Sequence, residues 1–253
     1  MPAFNTPTGI PYPRVHLQKG VLPWEVNDTC TAGAGTLLLE FAVLSRLTGN
    51  PIYEKAAKKA LLKLWELRTP INLVGNTVDI QKYHWKNPHT GIGAGVDSFY
   101  EYLLKAYILL GDSEYLHMFE DVCFRNYLSY QAYAAVMRHI KDDTGFIYKN
   151  VNVHSGEMMV YWIDSLAAFF PGLQVLHGDL ENAIKHHAVY FAIWSKYGAL
   201  PERYNWKTQE MDIANYPLRP ELFESTFMLY QVMMHLVNIL YPIRQPETHT
   251  ISM

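Results

Sequence analysis

The sequence has few cysteines, no excess of basic residues and no long apolar run. Only two cysteines occur among 253 residues, Cys30 and Cys123, so at most one disulfide can form within the chain. The net charge of -3 lacks the basic excess typical of nucleic-acid binders. A membrane span needs about eighteen apolar residues in a row, and none is present. Residues 1–5 have neither the basic nor the apolar region of a signal peptide.

Several catalytic and cofactor motifs are missing too. The chain has no His-Glu-x-x-His, Cys-x-x-Cys, Gly-x-Ser-x-Gly or phosphate-loop motif. Gly91, Gly93 and Gly95 resemble a dinucleotide fingerprint only loosely, since no predicted strand precedes them. His186 and His187 fall inside a predicted helix, where packing or surface exposure is commoner than metal binding. Zinc, thiol, serine-hydrolase and nucleotide chemistries therefore fit this sequence poorly.

What is present indicates a folded, mainly helical chain. A hydrophobic content of 49% against 18% charged residues excludes disorder. Apolar residues recur at spacings of three and four along most of the chain, which is typical of amphipathic helices. The predicted helices span residues 34–47, 52–67, 99–110, 115–133, 163–176 (interrupted by Pro171-Gly172), 180–197 and 221–240. Residues 146–153 fit a short strand.

Three glycines mark a repeated unit. Gly49, Gly111 and Gly178 each follow one predicted helix and precede an Asn or Asp that leads into another. Glycine commonly ends a helix in the left-handed conformation. Each unit is therefore a loop, a helix, a tight turn and a second helix, and stacked helical hairpins of this kind build solenoids or closed α/α barrels.

Acidic residues occupy equivalent places in successive units. Asp97 and Asp164 begin first helices, and Glu221 and Glu224 lie near the start of the last one. Taken singly, an Asp at a helix start is more often a cap. A barrel that points these helix starts at one face would bring the carboxylates together, as cleavage of a glycosidic bond requires. Glu202 also follows a proline, with no clear helix after it.

Six stretches resemble the class I α-1,2-mannosidases, and among them the endoplasmic-reticulum degradation-enhancing α-mannosidase-like proteins. They are residues 4–13 (FNTPTGIPYP), 29–41 (TCTAGAGTLLLEF), 91–105 (GIGAGVDSFYEYLLK), 169–176 (FFPGLQVL), 200–206 (LPERYNW) and 217–230 (PLRPELFESTFMLY). Six long motifs in order across nearly the whole chain are far more specific than one short motif.

The resemblance implies an all-α fold, an (α/α)7 toroid of helical hairpins. It also implies inverting removal of α-1,2-linked mannose from N-glycans of misfolded glycoproteins in the lumen of the endoplasmic reticulum. High-mannose glycans are the implied partners, together with the redox or degradation machinery of that compartment. By matching motifs, Asp97, Glu202 and Glu221 are the implied catalytic carboxylates, with Glu221 activating water. Glu40, Asp164, Arg219 and Glu224 are the implied residues of the sugar pocket.

Some features depart from the family pattern. Ser165 stands where the processing mannosidases have His, which favours the degradation-enhancing branch. The family binds Ca²⁺ through a threonine near its end and has a proton-donating Glu in its first segment. Neither matches a residue here, so we expect an incomplete toroid, with residues 1–231 as part of the catalytic domain and 232–253 as a divergent tail. This expectation predicts that the chain alone trims mannose feebly or not at all.

Two further possibilities stay open. The alternative function is a lectin-like module that binds high-mannose glycans or misfolded clients without cleaving them. Asn27-Asp28-Thr29 is a glycosylation sequon, a tripeptide that also occurs often by chance.

Overall fold

The computed structural model describes residues 1–120 and 132–240, with side chains to residue 236, and helices dominate this part of the chain. The helices are α1 Thr31–Gly35, α2 Leu38–Thr48, α3 Ile52–Glu66, α4 Asp97–Leu110, α5 Ser113–Phe119, α6 Ala132–Ala135, α7 Phe170–His177, α8 Leu180–Tyr197 and α9 Glu221–Leu240. Two 3-10 turns, Pro2–Phe4 and Ser165–Phe169, and a π-helical turn, Val136–Ile140, complete the helical structure.

The predicted helical hairpins are present. Helix α2 packs on α3, α4 on α5 and α7 on α8. Gly49, Gly111 and Gly178 end the first helix of each pair in the left-handed conformation, with φ of 70°, 76° and 92°. A side chain would be strained at these angles, so glycine is the residue that allows the tight turn.

Nine short strands lie between the helices in residues 1–120 and 132–240, and the all-α expectation missed them. They are β1 Asp28–Cys30, β2 Thr77–Asp79, β3 His84–Trp85, β4 His89–Thr90, β5 Asn150–Asn152, β6 Met158–Val160, β7 Trp162–Asp164, β8 Arg203–Asn205 and β9 Glu210–Ile213. They form three antiparallel sheets, ordered β1-β2-β3, β4-β5-β6 and β7-β8-β9. Each strand has two to four residues, which is too short for a readable alternation of apolar and polar residues.

Several predicted boundaries were wrong. The helix predicted over 163–176 is instead the end of β7, a 3-10 turn and then α7. Pro171 lies in the first turn of α7 and does not interrupt it, because proline has no N–H to donate and that turn needs none. The helix predicted over 34–47 is divided into α1 and α2, and the strand predicted over 146–153 is only β5. In the helix predicted over 115–133, residues 121–131 lie outside the described residues.

The core joins one face of each helix. Phe99, Tyr100, Phe170, Tyr190 and Leu61 are among its fully buried side chains.

The chain shows stacked hairpins, and closure into a sevenfold toroid stays a prediction. Helix α9 runs unbroken across the domain boundary predicted at residue 231. No helix in the described ranges is long and apolar enough to cross a membrane.

Candidate active site

The short sheets bring acidic residues to the starts of helices. Strand β7 ends at Asp164, directly before a 3-10 turn. Asp97 is the first residue of α4, and Glu221 is the first residue of α9. The partial positive charge of a helix N-terminus favours an anion there.

One cleft collects four carboxylates. Asp97 and Glu101 of α4 line it together with Glu221 and Glu224 of α9. Ser98, Leu166, Phe169 and Pro220 complete the lining, and the cleft volume is about 130 Å³. Pockets that bind drug-sized ligands have volumes of about 300–1,000 Å³. This cleft is smaller, and it contains three of the acids that the sequence predicted, namely Asp97, Glu221 and Glu224.

Asp97 is half-buried in this cleft. Its Oδ1 accepts hydrogen bonds from the backbone N–H of Ser98 at 2.7 Å and from the Ser98 hydroxyl at 3.3 Å. It is not the N-cap of α4, which is Val96. Burial raises the pKa of the Asp97 carboxyl to about 6, and the negative charge of Asp164 adds to the rise. Asp97 can therefore hold a proton at mildly acidic pH.

Asp164 is a structural cap behind the cleft. Its Oδ1 accepts the backbone N–H of Ala167 at 3.1 Å, and its Oδ2 accepts that of Ala94 at 3.1 Å. Only 7% of the residue is exposed, and burial raises the pKa of its carboxyl. The capping interpretation is confirmed for Asp164, which fixes the loop before Asp97. A Cβ on Gly93 would overlap the Asp164 carboxylate, so this glycine is needed for the close approach.

Glu202 and Arg219 form a two-point ion pair. The Arg219 guanidinium donates from Nε to Glu202 Oε2 at 3.0 Å and from Nη2 to Oε1 at 2.5 Å. The Ser165 hydroxyl also donates to Glu202 Oε2, at 3.0 Å. These contacts, Arg219 above all, lower the pKa of the Glu202 carboxyl. Glu202 is therefore held as an anion, beside rather than within the lining of the cleft.

Glu221 has an oxygen that no protein group satisfies. Its Oε2 is buried and has no hydrogen-bond partner in the structure. Burial raises the pKa of its carboxyl, while the nearby Arg219 charge opposes that rise. Buried polar atoms nearly always have a partner, so an unpaired carboxylate oxygen at a cleft calls for a water or a ligand hydroxyl. The turn before it carries strain, because Leu218 has a φ of 56°.

The structure separates Glu40 from the cleft. Its carboxylate accepts the Tyr102 hydroxyl at 2.6 Å, and it lines a different, mainly apolar groove between α2 and α4. Glu224 does line the cleft and also contacts the Lys105 ammonium at 3.2 Å.

The sequence reasoning missed Glu101, which lines the cleft four residues after Asp97. That spacing places two side chains on one face of a helix and could have identified it. Leu166 and Phe169 carry no such signal, because they lie in a 3-10 turn that the sequence does not predict.

The remaining predicted sites lie elsewhere. The Cys30 thiol accepts the Gly33 N–H at 3.2 Å, and Cys123 lies outside the described residues. Asn27 is exposed directly before β1, and its glycosylation stays a prediction. Among the side chains described in residues 1–120 and 132–236, no group of three or more His, Cys, Asp or Glu could hold a metal ion, and calcium binding stays a prediction from the family.

Comparisons with known proteins agree with the sequence resemblance. The sequence model of glycosyl hydrolase family 47 matches residues 1–235. "Alpha-mannosidase I MNS5" of Arabidopsis thaliana is 48% identical over 233 residues, which cover 91% of this chain and 38% of that protein. "ER degradation-enhancing alpha-mannosidase-like protein 1" of Schizosaccharomyces pombe is 46% identical over 231 residues, covering 91% of this chain and 28% of that protein.

A solved structure shares the fold. The alpha-1,2-mannosidase from Trichoderma reesei matches with a TM-score of 0.76 and 24% identity, over 92% of this chain and 54% of that chain. The chain spans about a quarter to two fifths of the length of the curated relatives it matches.

Proposed function

Because the chain belongs to glycosyl hydrolase family 47, we propose that it acts on α-1,2-linked mannose of high-mannose N-glycans. The setting we propose is the endoplasmic reticulum, on misfolded glycoproteins, since several relatives are named for degradation in that compartment.

The observation that carries the proposal is that Asp97 and Glu221 line one cleft. The pKa of Asp97 is raised to about 6, so it can hold a proton, and Glu221 has a buried oxygen without a partner. An inverting glycosidase uses one protonated acid and one carboxylate that activates water. Burial raises the pKa of Glu221 as well, but the Arg219 charge opposes that rise, which favours Glu221 as the ionised group of the two.

In the proposed reaction, Asp97 and Glu221 each carry out one proton transfer. Asp97 donates its proton to the glycosidic oxygen as the bond from that oxygen to C1 of mannose breaks. Glu221 Oε2 accepts a proton from a water as the oxygen of that water bonds to C1 from the opposite face. The product is β-mannose, Asp97 is left ionised and Glu221 protonated, and exchange with solvent restores both groups.

The pair Glu202 and Arg219 has a supporting role in this scheme. Arg219 precedes Glu221 by two residues, and its two bonds to Glu202 fix the turn that starts α9. Its charge also opposes the effect of burial on the Glu221 pKa. Glu224 and Arg219 are proposed to contact sugar hydroxyls, and no step is assigned to calcium.

Incubation with a high-mannose glycan tests the proposal directly. Because Asp97 takes the donor role here in place of the unmatched family Glu, we expect free mannose, where the sequence alone predicted little or none, with the β anomer appearing first in proton NMR spectra. Glu221→Gln should lower the rate by about 10²–10⁴-fold, the usual contribution of a general acid or base. Glu181→Gln is the matched control, since Glu181 lies on α8 and its side chain is 78% exposed.

The outcomes separate the alternatives. Glycan binding without release of mannose would favour the lectin-like function. An unchanged rate in Glu221→Gln would remove Glu221 from the mechanism, and α-mannose as the first product would contradict inversion.

A further inference from the structure

Lys105 joins the two acidic walls of the cleft. Its ammonium lies 2.5 Å from Glu101 Oε1, one turn earlier on α4, and 3.2 Å from Glu224 Oε1 on α9. Both carboxylates line the cleft, whereas Lys105 lies behind them. A single cation therefore contacts two of the four acids.

The two helices involved carry the two proposed reactive groups. Asp97 begins α4 and Glu221 begins α9. Helix α7 and the 3-10 turn Ser165–Phe169 pack against both helices. Lys105 adds a direct side-chain link between α4 and α9. On α4 the link begins two turns after Asp97, and on α9 it ends at Glu224, one turn after Glu221.

We propose that Lys105 is a positioning residue of the candidate site, which ties Glu101 to Glu224 and so sets the spacing and the charge balance of the cleft between α4 and α9. The catalytic importance of Lys105 rests on the proposed function, whereas its contacts with Glu101 and Glu224 do not depend on that function.

Charge explains why such a link is needed. Four carboxylates around one small cleft repel each other, and removal of a partner leaves a charge uncompensated. Arg219 is bound to Glu202, so it cannot also form a two-point pair with Glu101 or Glu224. The charged groups around Asp97 are Glu101 on α4, with Lys105 bound to it, Asp164 at the end of β7, and Glu221 and Glu224, which line the same cleft from α9.

An ordinary helix-surface pair provides the contrast. Lys185 contacts Glu181 at 2.7 Å with the same spacing of four residues, on α8, and has no second acidic partner among the described side chains. Exposed ion pairs of this kind contribute little to the free energy of unfolding. Lys105 differs because its second partner is on another helix and at the cleft, so Lys185→Met is a matched control for Lys105→Met.

The test is a direct titration of the Asp97 carboxyl by carbon-13 NMR in the full chain, with the resonance assigned by its loss in Asp97→Asn. In Lys105→Met, we expect the titration midpoint of Asp97 to rise by about 0.5–1 pH unit, because the Glu101 charge is no longer compensated. Lys105→Arg should restore the midpoint, and Lys185→Met should leave it unchanged. If Lys105→Met is unfolded by circular dichroism, Lys105→Gln replaces it.

An unchanged Asp97 midpoint in folded Lys105→Met or Lys105→Gln would overturn the inference, as would an equal shift in Lys185→Met. The titration needs no enzymatic activity, so absence of mannose release would count against the proposed function alone. If mannose is released, the alkaline limb of its pH profile should move upward with the Asp97 midpoint in Lys105→Met, because Asp97 must hold a proton to act as the donor.

Discussion

Arg219 donates two hydrogen bonds, of 2.5 and 3.0 Å, to the carboxylate of Glu202, which lies seventeen residues earlier in the chain. The Ser165 hydroxyl completes the contacts of that carboxylate, so the β7-β8 sheet and the start of α9 meet at one anion. An ion pair outside the lining of the cleft therefore fixes the position of the turn that leads into Glu221.

Loss of either half of this pair should destabilise the fold. Arg219→Lys keeps the charge but cannot form both bonds, since an ammonium lacks the planar fork of a guanidinium. We expect a loss of about 1–2 kcal/mol in the free energy of unfolding, measured by urea denaturation. Lys63→Met breaks the more exposed pair with Glu66 and should cost less than about 0.5 kcal/mol. Equal losses in the two variants would contradict this prediction.

Local signals in the sequence were enough for the hairpins but not for the cleft. Gly49, Gly111 and Gly178 act through their own backbone angles, so the turns can be predicted from neighbouring residues. The division of residues 163–176 into strand, turn and helix depends instead on distant partners. Asp164 takes a hydrogen bond from Ala94, seventy residues earlier. No local pattern encodes such a contact.

The site residues divide in the same way. Asp97 and Glu221 could be selected because each begins a helix, and the structure brings them to one cleft. Glu40 was selected by motif, but its bond to Tyr102 lies in another groove. Which carboxylates share a cleft depends on how whole helices pack, and a single sequence does not contain that information.

Gly93 should tolerate no side chain. A Cβ there would overlap the Asp164 carboxylate, which is itself fixed by two backbone N–H groups. We expect Gly93→Ala to lower the free energy of unfolding by about 2–4 kcal/mol, because neither partner can move freely. In the double variant Gly93→Ala/Asp164→Ala the overlap is gone. The free energy of unfolding should therefore fall by less than the sum of the decreases in the two single variants. Strict additivity in urea denaturation would show that the overlap is relieved in some other way.

His186 should make the fold sensitive to acid. It is 1% exposed on α8, its ring lies 4.2 Å from that of Tyr148, and its buried Nδ1 has no hydrogen-bond partner. Burial lowers the pKa of His186 to about 3. The unfolded chain takes up a proton below about pH 6.5 while the folded chain does not, so stability falls as the pH drops from about 6.5 towards 3.

The variant His186→Phe removes this contribution. Between pH 7 and pH 5, the free energy of unfolding of the unaltered chain should fall by about 2 kcal/mol more than that of His186→Phe. Any cost of fitting the larger ring is the same at both pH values and cancels in this comparison. His154→Phe alters an exposed histidine and should leave the pH dependence as it is. The same pH dependence in His186→Phe and in the unaltered chain would rule out this role for His186.

Asp97 should have the opposite effect on stability, because its pKa is shifted upward. The folded carboxyl has a pKa of about 6, raised mainly by burial, against about 3.9 in an unfolded chain. Below about pH 4 the group is protonated in both states. As the pH rises from about 4 to 6, the unfolded chain loses its proton first, so the folded state is destabilised by up to about 2–3 kcal/mol.

The variant Asp97→Asn isolates that contribution. An Asn keeps an oxygen that can accept the Ser98 N–H but has no proton to lose. We therefore expect Asp97→Asn to be more stable relative to the unaltered chain at pH 7 than at pH 4, by up to about 2–3 kcal/mol in urea denaturation. Glu202, with its pKa lowered and its carboxylate bound to Arg219 outside the cleft, affects both proteins alike and cancels in the difference. The Asp164 carboxyl repels that of Asp97, so the difference reports the coupled titration of this pair. Asp143→Asn, at an exposed position, serves as the control and should show no such change between the two pH values. If the difference between Asp97→Asn and the unaltered chain is the same at pH 4 and pH 7, the pKa of Asp97 is the same in the folded and unfolded chain, about 3.9, and the group is too acidic to be the proton donor of the proposed reaction.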